Sequence, residues 1–201
     1  MIGYVALLQI QRMPLKADAT YDPVPLLEVG EIMVGALGVI GRTDHGWVLD
    51  THHANHPRAR GRGLRGVSMG FTSHYDEMAQ RYGDVPLGVA GENIIVAADR
   101  RWTEDEMAAG VVITGDDGSE VVFAAANPAA PCLEFTSFLL GLPQRADRSA
   151  VLADLDFLDG GTRGFIVDAA RISKPMSVRL GDEVRPRDPR RDAPSAKGLR
   201  R

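Results

Sequence analysis

Residues 26–41 read LLEVGEIMVGALGVIG. Apolar and β-branched residues favour extended backbone there, but Gly30, Gly35, Gly38 and Gly41 interrupt them. A glycine inside a strand pattern marks a bulge, a bend or a turn, so this stretch cannot be one straight strand. Strands that bend this often wrap around a core rather than lie flat. The run therefore points to a barrel or a strongly bent sheet.

The rest of the chain supports a mainly β fold. GYVALLQI (3–10) reads as a buried strand, and GWVLD (46–50) and ENIIVAA (92–98) as shorter ones. In VVITGDDGSEVVFAAA (111–126), two β-branched runs flank Asp117-Gly118, a dipeptide that accepts the positive φ of a tight hairpin turn. RGFIVDAA (163–170) and MSVRLGDEV (176–184) are expected to pair as a second hairpin-like unit around RISKP. Three segments read as helices. SHYDEMAQRYG (73–83) has Ser73 as N-cap and Gly83 as stop, and TEDEMAAG (103–110) carries the capping box Thr103/Glu106. DRSAVLADLDFLDGG (147–161) has the apolar stripe Val151, Leu152, Leu155 and Leu158. No internal repeat is visible.

The length of 201 residues suits one domain. No apolar run is long enough to span a bilayer. The start, MIGYVALLQI, lacks a basic n-region and a cleavage site, so no secretory signal is expected. The single cysteine excludes an intramolecular disulfide and suits a reducing cytoplasm. Charge is uneven. Residues 185–201 hold seven Lys/Arg against two Asp, a surplus of five, which leaves residues 1–184 at −9 within the overall −4. The expected organisation is one domain over 1–184 and a basic, disordered tail over 185–201. A solvated terminus is the simplest role for the tail, and contact with a partner or a nucleic acid is the alternative.

The one thiol, Cys132, lies in NPAAPCLEF (127–135). Pro128 and Pro131 cannot donate ladder hydrogen bonds, so the segment reads as a loop leaving the EVVFAAA strand. A lone thiol is either a small buried hydrophobe or a solitary functional group: nucleophile, sulfur carrier or single metal ligand. In DTHHANHPRARGRGLRG (50–66), His52, His53 and His56 have spacings that could hold a metal on a helix, but Pro57 argues against a helix. Arg58, Arg60, Arg62 and Arg65 alternate with small residues, as in a loop that grips an anion or one that is merely solvated. GRGLRG (61–66) matches a dinucleotide-binding pattern without the strand that must precede it, and that reading is rejected. GVAGENIIV (88–96) places Glu92 and Asn93 after a turn. GGTRGFIVDA (160–169) offers Arg163 to a ligand phosphate, or to Asp168 or a carbonyl.

Taken in order, these pieces resemble the MOSC family, named for the C-terminal domain of molybdenum cofactor sulfurase. The resemblance rests on Gly91-Glu92-Asn93, Pro131-Cys132, Arg163-Gly164 and Gly181-Asp182-Glu183-Val184, and covers residues 3–184. The common His-Gly-Gly segment is replaced by His53-Ala54-Asn55. The resemblance implies a MOSC-type β-barrel with a few short flanking helices, in a stand-alone member without a fused desulfurase domain. It implies that Cys132 either carries sulfane sulfur as a persulfide, supplied by a pyridoxal-phosphate-dependent cysteine desulfurase, or ligates molybdenum in a pterin cofactor. Arg58, Arg60 and Arg62 would hold the pterin phosphate, and Glu92 and Asn93 would contact the pterin. His53, Asn127, Arg163 and Gly164 complete the implied binding residues. Implied partners are the desulfurase or a molybdoenzyme. The alternatives are a cofactor-dependent reductase of N-hydroxylated compounds and a binding module without turnover.

Overall fold

The computed structural model describes residues 1–59 and 67–192. The bent run of the first half resolves into short strands. They are β1 (Gly3–Gln11), β2 (Lys16–Ala17), β3 (Thr20–Tyr21), β4 (Leu26–Glu28), β5 (Glu31–Gly35), β6 (Gly38–Thr43) and β7 (Gly46–Leu49). Next come β8 (Val67–Phe71), helix α1 (Thr72–Tyr82), β9 (Ile94–Ala97), α2 (Glu104–Met107), β10 (Val111–Thr114), β11 (Glu120–Phe123) and β12 (Ala126–Pro128). The last third holds α3 (Leu133–Leu139), a 3-10 turn (Arg148–Val151), α4 (Leu152–Leu158), β13 (Phe165–Val167), β14 (Met176–Arg179) and β15 (Glu183–Pro186). No helix among the described residues is long and apolar enough to cross a membrane.

The main sheet runs β11-β10-β15-β1-β9-β8-β13-β12, with β4 also paired to β1; a second sheet runs β14-β5-β6-β7. The fold is mainly β, as expected, but the ladder is not closed. Its two end strands, β11 and β12, are instead successive pieces of the single stretch 120–128. The sheet curls until its rims are joined by backbone rather than by a full set of ladder bonds. Backbone bonds from Ala124 N to Asp168 O and from Asp168 N to Ala125 O continue the β12–β13 edge into that stretch.

Strand β9 explains how the interior divides. Ile94 and Val96 enter the core enclosed by the sheet, together with Leu8, Ile10, Phe71, Phe123 and Phe165. Ile95, pointing the other way, joins a second core with Tyr75 and Met78 of α1, Phe135 of α3 and Leu158 of α4. Alternate side chains of a strand face opposite sides, so a strand covered on both faces reads as one unbroken apolar run. β8 and β9 pair in parallel, Met69 opposite Ile94. A parallel pair needs a crossover, and α1 supplies it, returning through the 83–93 loop.

Several expectations need correction. β13 does not pair with β14: both its edges are taken, by β8 and β12, while β14 joins β5 in the second sheet. α1 begins two residues early, with Phe71 rather than Ser73 as N-cap, and the Ser73 hydroxyl donates to Arg100 O instead of capping. The helix expected over 147–161 is a 3-10 turn followed by α4, and Leu152 is 48% exposed while Val151, Leu155 and Leu158 are buried. The Thr103/Glu106 capping box and the Asp117-Gly118 hairpin are present as expected. The domain boundary expected at 184 falls inside β15, where Arg185 pairs with Asp192 and Glu120. Residues 193–201 of the tail lie outside the described residues.

Two glycines distinguish strain from collision. Gly118 (φ +77°) faces open space, whereas a Cβ on Gly110 (φ +91°) would lie 2.0 Å from Phe123 O. Gly118→Ala is expected to cost about 1–2 kcal/mol, from left-handed backbone alone. Gly110→Ala must also displace β-sheet backbone, so its urea unfolding midpoint should fall well below that of Gly118→Ala. Equal midpoints would contradict the close approach of the turn at Gly110, between α2 and β10, to the end of β11.

Candidate functional site

Loop 88–93, GVAGEN, is held by its own carbonyls. Gln9 Nε2 donates to Gly88 O and Glu92 O, both at 2.7 Å. Gln11 Nε2 donates to Gly91 O and the Tyr21 hydroxyl to Val89 O, each at 2.7 Å. The loop returns two backbone donors, Ala90 N to the Tyr75 hydroxyl at 3.1 Å and Asn93 N to Ser68 O at 3.0 Å. Gly91 is required in two ways: its φ is +91°, and a Cβ would lie 2.7 Å from Leu15 Cδ1.

Asp50 fastens the histidine segment to this loop. It is fully buried and accepts four hydrogen bonds. Gln11 N (2.7 Å) and Asn93 Nδ2 (3.0 Å) reach Oδ2, while His52 N (2.8 Å) and His52 Nδ1 (2.9 Å) meet Oδ1. Asn93, 2% exposed, also donates to Gln9 O and accepts from Ser68 N, so its amide is committed to the fold. The histidines do not share a helix face, because residues 51–58 form successive turns. Asn55 N donates to His53 Nδ1 and Arg58 N to His56 Nδ1. Burial lowers the proton affinity of His53, with the Asp50 charge opposing. Among the described residues, no group of three His, Cys, Asp or Glu side chains is arranged to hold a metal.

Cys132 is at the foot of a helix rather than in an extended loop. It is the N-cap of α3, only four residues after β12 ends, and it is half-buried against the second core. Arg163 lies across its turn. Nη1 donates to Ala130 O at 2.7 Å, and Cζ stands 5.3 Å from the centroid of the Phe135 ring. Ala130 and Phe135 lie on either side of Cys132 in the chain. Among the described residues, Arg163 Nε is buried without a partner.

Glu92 comes from the other side. It is 3% exposed, and its Oε2 accepts from the Tyr75 hydroxyl at 2.7 Å. Its Oε1 lies where no side chain fits: a Cβ on Gly70 would be 2.8 Å away and one on Gly164 3.2 Å. Burial pushes the Glu92 carboxyl up to about 7, against the opposing effects of Tyr75 and Arg163. The charges of Arg163, Glu92 and Cys132 all reach Tyr21, whose hydroxyl is held neutral chiefly by burial. The structure therefore brings Cys132, Glu92, Arg163 and Gly164 together.

Two further expected residues sit apart from this group. Asn127 is exposed on β12 opposite Ile166, and Arg58 is exposed among the 51–58 turns. Arg60 and Arg62 lie outside the described residues. Gln9, Gln11, Tyr21, Asp50 and Tyr75 were not singled out from sequence. A signal existed for the first two: glutamines at i and i+2 put two amides on one face of an otherwise apolar strand.

Two measurements check this geometry. Asp50→Ala strands the buried donors Gln11 N and Asn93 Nδ2, and is expected to cost about 3 kcal/mol in urea unfolding. A carboxyl with raised proton affinity stabilises the fold when protonated. The Glu92 contribution is therefore complete below pH 4.5 and lost as pH rises through about 7. Over that window wild-type stability should fall relative to Glu92→Gln; parallel pH profiles would contradict the burial of the charge.

Comparison with known proteins follows the same outline. A family model described as the MOSC domain matches residues 57–185. No curated protein matches the sequence. Among solved structures, the YuaD protein from Bacillus subtilis aligns with TM-score 0.56 at 16% identity, over 92% of this chain and 94% of that one. A structure described as a hypothetical protein aligns with TM-score 0.52 at 15% identity, over 90% and 66%. YiiM from Geobacillus stearothermophilus reaches 0.49 at 15%, over 92% and 75%. At these identities the first two likenesses speak for the fold. The family match covers more than half of the chain and includes Glu92, Asn93, Cys132 and Arg163, and the chain belongs to the MOSC domain family.

Proposed function

We propose that this protein is a sulfur carrier working through Cys132. The observation that supports it most is the position of the chain's only thiol, half-buried at the start of α3 with the Arg163 guanidinium held against the same turn. The thiolate is the form that attacks sulfur. In the proposed step the thiolate attacks the terminal sulfur of a persulfide on a pyridoxal-phosphate-dependent cysteine desulfurase. A new S–S bond forms to Cys132, the donor's S–S bond breaks, and the donor leaves as a thiolate. The carried sulfur then passes to a cysteine thiolate of a molybdoenzyme by the same exchange: the acceptor attacks the outer sulfur, and Cys132 leaves as a thiolate.

A second reading is favoured by the unpartnered Nε of Arg163. A buried donor without an acceptor suits a ligand with an anionic part, and one thiolate suits a metal that prefers soft sulfur. The residues present therefore fit a molybdenum-pterin group, with Cys132 as the protein ligand and Arg163 as an anion donor. Bound there, the cofactor would supply two-electron redox chemistry, as in a reductase of N-hydroxylated compounds. Tyr21 and Tyr75, both buried, would limit water on the inner side of the thiol.

Mass spectrometry after incubation with a desulfurase and cysteine should show one added sulfur on Cys132 and none on Cys132→Ser. Metal analysis of protein made with an intact molybdenum pathway serves as the counter-test. Near-stoichiometric molybdenum, lost in Cys132→Ser, replaces the carrier reading with the second one. Neither sulfur nor molybdenum on Cys132 leaves a binding module without turnover.

A further inference from the structure

Glu92 is the buried carboxyl that the proposed chemistry does not use. It is packed against the Arg163–Gly164 turn, and glycine at both 70 and 164 makes the space it occupies. No ion pair joins it to Arg163, whose Nη1 is turned to Ala130 O and whose Nε has no partner. Glu92 and the Arg163 guanidinium thus meet at one turn without an ion pair between them. Among the described residues, the other titratable groups facing Glu92 are Tyr75 from α1 and Tyr21 from β3, both held neutral by burial. Cys132, from the start of α3, faces the same Tyr21.

We propose that Glu92 is a specificity-determining residue whose protonation state sets whether the pocket at Cys132 favours an anionic or a neutral reaction partner. As a carboxylic acid it leaves the Arg163 charge uncompensated, and anionic partners such as small persulfides or other sulfur anions are drawn in. As a carboxylate it offsets that charge, and the preference is lost. The burial that raises the Glu92 carboxyl to about 7 puts the change near neutral pH. The inference rests on the reading of Cys132 as the working thiol.

The single cysteine makes the test clean. Iodoacetate and iodoacetamide both alkylate the thiolate with loss of iodide, but the first is an anion and the second is neutral. Titration of the thiol itself cancels in the ratio of their rates, which leaves the local potential. Between about pH 6 and pH 8, the iodoacetate-to-iodoacetamide ratio of the wild-type protein should fall about fivefold, on the scale of one added charge at screened dielectric. Glu92→Gln should abolish the step and hold the ratio at its acid-side value. Tyr75→Phe removes a hydrogen bond that favours the carboxylate, so it should move the step to higher pH; this variant keeps the test open if Glu92→Gln fails to fold. A flat wild-type ratio overturns the proposal. So does a step that survives Glu92→Gln unchanged, as histidine titration would give. Alkylation is read on the unloaded protein. A flat ratio with intact sulfur or molybdenum loading therefore overturns the role of Glu92 alone, whereas a Glu92-dependent step without loading overturns the function proposed for Cys132.

Discussion

The carboxylate of Asp50 has no contact with solvent and four protein donors. Burying a charge is costly unless its hydrogen bonds are replaced, and here two oxygens receive two bonds each. The donors come from three places: the end of β1, the turn at His52 and the residue after Glu92. One group therefore ties the turn at His52 to the place where β1 and the start of β9 lie side by side. Remove it, and Asn93 keeps only its bonds to Gln9 and Ser68, the turn at His52 loses its internal acceptor, and the loop that presents Glu92 is left to Gln9, Gln11, Tyr21, Ser68 and Tyr75.

That loop matters because of where β9 begins. A parallel crossover returns a chain to the sheet from one side, and the connection back from α1 ends at Glu92 and Asn93. Once β9 is seated between two cores, Glu92 is carried to the boundary between the enclosed core and the helical layer. Arg163 approaches from the turn before β13, and Cys132 from the turn after β12. The pairing of Pro128 with Phe165 holds those two turns side by side. The site is thus an assembly of strand ends, where backbone leaves the ladder and side chains are free to converge.

Much of the architecture was legible in the sequence, for physical reasons. Glycine-broken β-branched runs predicted bent strands, and the Asp117-Gly118 turn and the Thr103/Glu106 box named their own geometry. The family pattern brought Glu92, Cys132, Arg163 and Gly164 into one list. The pairing of β13 was not legible, because a strand's partners depend on which edges remain free, and that is settled by the whole sheet. The helix after Cys132 was missed because two prolines dominate its approach, although Leu133–Leu139 has ordinary helix formers. Asp50 and Tyr75 carried no local signal: their importance arises only when distant segments meet.

The strand path of the main sheet begins and ends in the one stretch 120–128. Its two rims are therefore linked by covalent chain, and four residues beyond the second rim comes Cys132. Wall and thiol are mechanically in series. Any breathing of the seam between β11 and β12 is transmitted along Ala129–Pro131 to the foot of α3, where the sulfur sits. The rigidity of the enclosed core, set by residues such as Phe123 and Phe165, thereby bears on how steadily the thiol is held.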